Sequence, residues 1–519
     1  MALKDKFLDL WCGAVEPGLS PYWLTRALLL RGLGLIYTLA FLILTQQFIP
    51  LVGEGGILPV NLFLEQVAQE YGPGLPSWLK LPTLMWLDCS DTFMLGLVWL
   101  GLGLSLLLLC GVANVPLLLS LWAIYLSCCH VGQLFYSFGW EILLLETGFL
   151  AVFLCPLWRT QVPPAKALVW LFRWVLFRLM LGAGLIKLRG DPCWWDLSCL
   201  IFHYQTQPLP NPLSWYFHQL PVWFHQGSVL FNHLAELVVP WFFFGPRRLR
   251  HAAGLLTIVF QISLILSGNL SWLNYLSIVL CVACFDDAAL ALFLLPIQGR
   301  ARSWMPAPCQ IKEEGRLRRA LLNGLVILIL YLSIGPVLNL LSPRQAMNAS
   351  FDPLHLVNTY GAFGSVGQHR PEIILEGTVD SVITDSTRWL PYEFRGKPGD
   401  PQRRPPLVSP YHYKLDWQLW FAAMSDYRRQ PWLVHYVYLL LTGDQGALSL
   451  LGNNPFAAQP PHFIRAELYE YRFAPPGQPG WWEREYLGPY LPPLAANDPA
   501  LLTALAQFGW ISAPPSPGP

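Results

Sequence analysis

Long apolar stretches fill the first two thirds of the chain. A helix needs about 20 mainly apolar residues, within a range of about 17–25, to cross a bilayer. Nine stretches meet this description, of which the third, fourth and sixth are short or carry charge. They lie near residues 24–46, 92–110, 115–131, 140–157, 167–188, 228–244, 252–268, 271–294 and 320–341. The pattern predicts a membrane-embedded α-helical bundle of about nine spans.

After residue 342 the pattern changes to short segments separated by turn residues. Residues 372–378 and 387–395 are expected to form strands, and residues 463–473 alternate as a half-buried strand does. Residues 416–426 and 432–442 suit short amphipathic helices. We therefore predict a membrane α-helical bundle followed by a C-terminal α+β, strand-rich extracytoplasmic domain. The predicted boundaries are 1–341 for the multi-span region, 342–511 for the domain and 512–519 for a disordered Pro-rich tail.

Composition supports this division. Hydrophobic residues make up 54% of the chain and charged residues 13%, whereas a soluble domain is about 25% charged. The composition therefore argues against an ordinary soluble enzyme and rules out disorder for most of the chain. The formal net charge of +1 provides no field that would recruit nucleic acid.

The distribution of Lys and Arg predicts the orientation in the membrane. Loops 158–166, 245–251 and 295–319 are rich in these residues, and all three lie on one side when nine helices start from a cytoplasmic N-terminus. The loop 47–91, on the opposite side, contains Lys80 as its only Lys or Arg residue. Residues after 342 are then expected in a lumen or periplasm, and an even number of spans would reverse this.

Ionisable residues lie within several predicted spans. They form our candidate intramembrane polar site, which consists of Glu141, Glu146, Arg173, Arg178, Lys187, His233 and Glu236. Charges at membrane depth are costly and usually pair or face a cavity. A functional site and simple interhelical ion pairing both remain open. Pairing of Glu141 or Glu146 with Arg173 or Arg178 is the favoured interpretation, because adjacent helices usually touch.

The outer loop 189–227 carries the other candidate chemistry. Cys193 and Cys199 lie on the predicted oxidising side and are able to form a disulfide. The histidines of this loop have no standard metal-ligand spacing, so no metal is predicted. The chain also lacks the GxxxxGK[ST], HExxH and GxSxG motifs. We predict no cofactor, no nucleotide and no nucleic-acid partner.

Several long segments together resemble the lipase maturation factor family. They include YWLTRALLLRGLGLIY (22–37), FGWEILLLETGFL (138–150), FRLMLGAGLIKLRGDPCWWDLSCL (177–200), NTYGAFGSVGQHRPEIILEGT (358–378) and PYHYKLDWQLWFAAM (410–424). The resemblance covers nearly the whole chain. It implies a membrane protein that helps secreted lipases fold and assemble on the lumenal side. The expected membrane is that of the endoplasmic reticulum in a eukaryote, or the plasma (inner) membrane in a bacterium. The resemblance carries over no catalytic residues.

A chaperone-like role needs an apolar surface that holds a secreted client protein transiently. Aromatic residues of the C-terminal domain are the candidate client contacts, namely Trp417, Trp420, Phe421, Trp432, Trp481 and Trp482. The competing interpretation is that most of them belong to the core, because aromatic side chains usually supply burial. The expected partners are membrane lipids and secreted clients such as lipases.

An enzymatic alternative depends on a much shorter segment. AGLIKL (183–188), followed by Trp194, resembles a segment of vitamin K-dependent carboxylase-type membrane proteins. That resemblance implies Lys187 as a base acting on a lipid or quinone-like substrate. The simpler interpretation is that Lys187 snorkels from a helix end towards the membrane surface. Transport has little support, because no inverted repeat is visible.

Overall fold

The computed structural model describes residues 22–155, 162–294 and 315–512. Several predictions concern residues outside these ranges. The predicted disordered tail lies outside them from residue 513 onward. Four basic residues of the loops used to predict the orientation also lie outside them, namely Arg159, Arg300, Arg302 and Lys312.

The first region is helical. Its helices are α1 (Trp23–Val52), α2 (Val60–Tyr71), α3 (Leu75–Lys80), α4 (Asp91–Leu109), α5 (Val115–Val131), α6 (Gly139–Leu154), α7 (Lys166–Gly190), α8 (Cys199–Thr206), α9 (Pro212–His218), α10 (Val222–His233), α11 (Arg247–Ser267), α12 (Leu273–Cys281), α13 (Asp287–Phe293), α14 (Arg316–Leu332) and α15 (Ile334–Leu341). Helix α10 continues through a π-helical turn, Leu234–Val238, and a 3-10 segment, Val239–Phe244.

Six helical segments of the described chain are long and apolar enough to cross a membrane. They are α1, α4, α7, α10 with its continuation to Phe244, α11, and α14 together with α15. Among the described residues, each of the nine predicted positions contains helix, but α5 has 17 residues, α6 has 16, and α12 with its 3-10 extension ends at Cys284. The rest of the protein buries α6 along nearly its whole length. This explains how α6 can be short and carry acidic side chains.

The helix ends divide into two groups. Near the C-terminal domain, the Gln47 side chain at the end of α1 donates to the His412 carbonyl oxygen at 2.8 Å. At the opposite end of α1, the Asp287 carboxylate accepts from the backbone amides of Trp23 and Leu24, each at 2.8 Å. Arg247 donates to Asp286 beside that end. The basic start of α11 therefore lies on the side away from the C-terminal domain.

The C-terminal domain combines a small antiparallel sheet with short helices. Its elements are β1 (Pro371–Thr378), β2 (Leu390–Pro391), β3 (Glu393–Phe394), α16 (Lys414–Ala423), α17 (Pro431–Leu441), α18 (Gln445–Ser449), β4 (Leu451–Asn453), β5 (Phe463–Phe473), β6 (Trp482–Leu494) and α19 (Pro499–Gln507). The main sheet has the order β2-β1-β5-β6, and β3 pairs with β4. Ile374 faces Glu467 across β1 and β5, and Tyr469 faces Tyr486 across β5 and β6.

The predicted strands at 372–378 and 463–473 are confirmed by β1 and β5. The predicted strand at 387–395 consists of two strands of two residues each. Strand β6 was not predicted, because three prolines interrupt its sequence pattern. It lies at the edge of the sheet, where proline is tolerated. The domain is therefore mixed α/β rather than strand-rich.

A continuous apolar core joins the two regions. It contains Phe41 of α1 and Leu176 of α7 together with Leu419 of α16 and Ile464 of β5, all almost fully buried. Apolar burial of this kind is the main favourable contribution to folding. The domain is thus docked on the helices as part of one folded unit.

Candidate functional site

Glu141 is paired with a residue of the C-terminal domain rather than with a neighbouring membrane helix. The Lys414 ammonium donates to its Oε1, and the Tyr125 hydroxyl donates to its Oε2. The Glu141 and Lys414 side chains are completely buried. The Lys414 ammonium also lies 4.0 Å from the centre of the Tyr136 ring. Burial lowers the pKa of Lys414, and Glu141 opposes that shift.

Glu146 lies in a second buried cluster, which joins α6 to α7. The Arg178 guanidinium donates to it, one of the pairings expected from sequence. The Asn358 backbone amide and the Tyr360 hydroxyl also donate to Glu146 Oε2, at 3.0 and 2.7 Å. Arg173 instead donates to the Ala283 carbonyl oxygen at 2.8 Å. The segment after the last membrane helix is therefore fixed to membrane carboxylates.

A third cluster connects the end of α7 with the π-helical turn. The Lys187 ammonium lies 2.6 Å from each carboxylate oxygen of Glu236 and 3.0 Å from Asn232 Oδ1. Since Lys187 is only 4% exposed, the snorkelling interpretation is wrong. The π-helical turn places Glu236 opposite it. His233 does not join this pair, and its Nε2 donates to the Trp194 carbonyl oxygen at 2.9 Å.

A further buried cluster anchors the sheet. Arg370 donates to the carbonyl oxygens of Gln205 and Pro208, each at 2.8 Å. Its guanidinium also pairs with Glu372 at 2.7 Å, and Lys397 pairs with the other oxygen of Glu372 at 3.0 Å. Burial lowers the pKa of Arg370. This cluster fixes the start of β1 to the outer loop of the membrane region.

A cavity of about 390 Å³ lies between these clusters. Membrane-helix residues such as Met180 and Phe260 line it from one side, and Trp417 and Trp420 line it from the C-terminal domain. Its polar wall residues include His203, Glu236, Gln261, Asn274 and Ser277. Burial lowers the pKa of His203 to about 4, so this imidazole is neutral at pH 7. Exposed apolar side chains, Met347, Phe421 and Met424, also line the cavity.

The six candidate client contacts divide by burial. Trp417, Trp432 and Trp482 are at most 5% exposed and belong to the core. Trp420 and Trp481 are partly buried, and Phe421 is 41% exposed. The indole nitrogen of Trp420 donates to the Thr206 carbonyl oxygen at 3.1 Å, so this side chain also joins the domain to the outer loop.

The outer loop 189–227 folds against the C-terminal domain. Cys193 and Cys199 form a disulfide in this structure, with 4.8 Å between their Cα atoms. The neighbouring Trp194 is buried, and its indole nitrogen donates to the Phe363 carbonyl oxygen at 3.0 Å. In the part of the chain that the structure describes, no cluster of three or more His, Cys, Asp or Glu side chains is arranged to hold a metal ion.

Sequence reasoning identified the membrane carboxylates but missed most of their partners. Lys414, Asn358 and Tyr360 lie more than 200 residues away along the chain. The sequence around these residues does not indicate that they are buried, because they become buried only when the domain docks on the membrane helices. Arg370 offered one weak signal, since it lies two residues before Glu372, the first residue of a predicted strand.

The observed architecture defines a multi-pass helical membrane protein with a C-terminal mixed α/β domain docked on one end of the bundle. Residues 24–292 match the lipase maturation factor transmembrane domain, and residues 356–492 match the lipase maturation factor C-terminal domain. The chain belongs to the lipase maturation factor family.

Full-length relatives support this assignment. The chain is 50% identical over 510 residues to Lipase maturation factor 1 of Mus musculus, covering 92% of this chain and 88% of the relative. It is 46% identical to Lipase maturation factor 1 of Homo sapiens, covering 96% and 91%. Its identity to Lipase maturation factor 2 of Homo sapiens is 32%, covering 94% and 85%. No solved structure matches the chain significantly.

Proposed function

We propose that this protein assists the maturation of secreted lipases, with its C-terminal domain in the lumen of the endoplasmic reticulum. The observation that carries this proposal is the 50% identity to Lipase maturation factor 1 of Mus musculus across the membrane region and the domain alike. The relatives described above are vertebrate proteins, which favours the endoplasmic reticulum over a bacterial membrane.

The arrangement of charges supports this orientation. Arg247 and Arg250 lie with Asp286 at the end of the bundle away from the C-terminal domain. Lys and Arg near spanning segments favour the cytoplasmic side. The C-terminal domain then lies on the lumenal side, where a newly made lipase folds.

We assign the client contact to the exposed edge of α16 rather than to all six predicted aromatic residues. Phe421 is accessible and lies beside the exposed Met424. Apolar side chains in such a position can cover the apolar surface of a client until its own partner does so. Trp417, Trp432 and Trp482 instead support this surface from within the core.

Rescue of lipase maturation tests the proposal. Cells that lack their own lipase maturation factors would express this protein together with a secreted lipase. We expect the protein to restore secreted lipase activity per unit of lipase protein. Inactive secreted lipase, despite normal levels of this protein, would contradict the proposed function.

A substitution at Phe421 tests the assigned client contact. We expect Phe421→Ser to lower the activity of the secreted lipase severalfold without changing the level of this protein. Leu407→Ser is the matched control, because Leu407 is an exposed apolar residue elsewhere in the same domain. Equal rescue by the two variants would place the client contact elsewhere.

The carboxylase-type alternative stays a prediction. It needs Lys187 to act as a base on a substrate, and the structure holds its ammonium between Glu236 and Asn232. Turnover of a lipid or quinone-like substrate that Lys187→Arg abolishes at a normal protein level would support it.

A further inference from the structure

The cavity at the domain boundary is lined mainly by apolar side chains of the membrane helices and of the C-terminal domain. We propose that it binds a neutral lipid ester of the acylglycerol class, with the acyl chain between the membrane helices and the ester group beside α16. Its depth, the character of its walls, its charge and two buried donors among the residues that line it support this proposal.

The depth of the cavity favours a hydrocarbon chain. Met180 lies in the wall, and α7 ends at Gly190 on the side of the C-terminal domain. At a rise of 1.5 Å per residue, Met180 is about 15 Å below that end of the helix. An acyl chain can reach this depth from the boundary, whereas a single amino-acid side chain of a client protein cannot.

The walls argue against a polypeptide occupant. Leu179, Phe260 and Leu264 are among the residues that line the membrane part of the cavity. A backbone inserted there would need a partner for every N–H and C=O group, because unsatisfied groups are costly in an apolar environment. A hydrocarbon chain makes no such demand.

Two buried side chains of the cavity wall carry donors that suit an ester group. Asn274 is 2% exposed and Trp417 is 5% exposed, and both line the cavity. Asn274 Nδ2 and Trp417 Nε1 have no hydrogen-bond partner among the described residues. Buried donors are normally satisfied. If these side chains turn their nitrogens towards the cavity, an ester carbonyl oxygen, which accepts but does not donate, is the matching partner.

The charge around the cavity selects a neutral headgroup. Among the described residues that line it, the only acidic side chain is that of Glu236, and none is Lys or Arg. The Glu236 carboxylate is already paired with Lys187. A phosphate or a free carboxylate in the cavity would therefore have no Lys or Arg side chain of the described lining to pair with. A glycerol ester needs only hydrogen bonds.

Photolabelling of the purified full-length protein in a mild detergent tests this proposal. The probe is a monoacylglycerol with a diazirine in its acyl chain, and the comparison probe is the free fatty acid with the same chain. We expect the glycerol ester to label α7, α11 or α12. Excess unlabelled monooleoylglycerol should reduce that labelling about tenfold, while oleate should compete weakly. Labelling that is not saturable, or equal labelling by the fatty acid, would overturn the proposal.

Two variants examine the site itself. Asn274→Leu removes one donor and should weaken competition by monooleoylglycerol about fivefold to tenfold, the loss expected for one hydrogen bond. Ala183→Phe should fill the cavity and abolish the labelling, whereas Ala320→Phe, on the exposed surface of α14, should not change it.

If Ala183→Phe lowers the protein level, Asn274→Leu and the competition assay with the unaltered protein still decide the question. Displacement of the probe by an apolar peptide but not by monooleoylglycerol would assign the cavity to a client and contradict the lipid. The assay contains no lipase, so its outcome is separate from that of the rescue experiment.

Discussion

Single buried charges connect segments that are distant in sequence. Glu141 pairs with Lys414, Glu146 with Arg178, and Lys187 with Glu236, and all six side chains are at most 5% exposed. The desolvation of such pairs offsets much of their attraction, so their net contribution to stability is small. We infer that their effect is on specificity, because any other docking of the domain would leave charges buried without partners.

Removing one member of such a pair tests this interpretation. Lys414→Met leaves the Glu141 carboxylate buried without its cation and should cost about 3–5 kcal/mol of unfolding free energy. The double variant Glu141→Gln with Lys414→Met should recover much of that loss. Thermal unfolding in detergent measures both single variants, Lys414→Met and Glu141→Gln, and the double variant. Arg428→Met, at an exposed ion pair with Asp426, is the control and should have little effect. Simple addition of the two single losses would contradict the argument.

Buried neutral histidines make the folded state sensitive to acid. Burial lowers the pKa of His412 well below its usual value, and the positive charge of Lys414 lowers it further. The unfolded chain takes up a proton near pH 6.5 and the folded chain does not, so stability falls as the pH drops below about 6.5. For one such group the loss between pH 7 and pH 5 is about 2 kcal/mol.

His412→Phe should remove that part of the pH dependence. Neither ring nitrogen of His412 has a hydrogen-bond partner among the described residues, and aromatic rings such as those of Phe138, Trp140 and Trp417 surround it. Phenylalanine can therefore replace it without losing a hydrogen bond. Unfolding midpoints at pH 7 and pH 5 measure the effect, with His462→Phe, at an exposed position, as the control. An unchanged pH dependence would show that His412 titrates in the folded protein.

Helix α7 shows how closely the two regions approach each other. Gly182 packs against the backbone of the segment that follows the last membrane helix, and a Cβ atom there would lie 2.4 Å from the Tyr360 carbonyl oxygen. That oxygen is backbone and cannot rotate away. The small residue at this position therefore permits docking of the domain.

A pair of glycine substitutions measures this requirement. Gly182→Ala should lower the thermal unfolding midpoint, because either α7 or the Tyr360 segment must shift. Gly324→Ala, in α14, meets no atom within 4 Å and should be neutral or stabilising by up to about 1 kcal/mol, as expected for alanine in a helix. Equal effects of the two changes would show that close packing at Gly182 is not needed.

The elements were predictable where the local pattern is strong. Long apolar runs located the helices, and the alternation in 463–473 located β5. The length of α6 was harder to predict, because burial inside the protein, rather than contact with lipid, sets the environment of this helix. The partners of the membrane carboxylates depend on tertiary docking, which leaves no periodic signal around Lys414 or Tyr360.

The whole molecule is a membrane bundle that presents one docked domain on a single side. The proposed action on a secreted client depends on this orientation, since a domain in the cytosol would never meet such a client. The distribution of Arg247 and Arg250 at the opposite end of the bundle supports a lumenal domain.

An added glycosylation site measures the orientation directly. Val382 is 69% exposed in a loop of the C-terminal domain, and Val382→Asn creates the acceptor triplet with Ile383 and Thr384. The unaltered protein, expressed in the same cells, is the control. Relative to it, we predict one added glycan that an endoglycosidase removes, together with protection of the domain from protease in sealed microsomes. Absence of the added glycan, with the domain digested from the cytosolic side, would contradict a lumenal role.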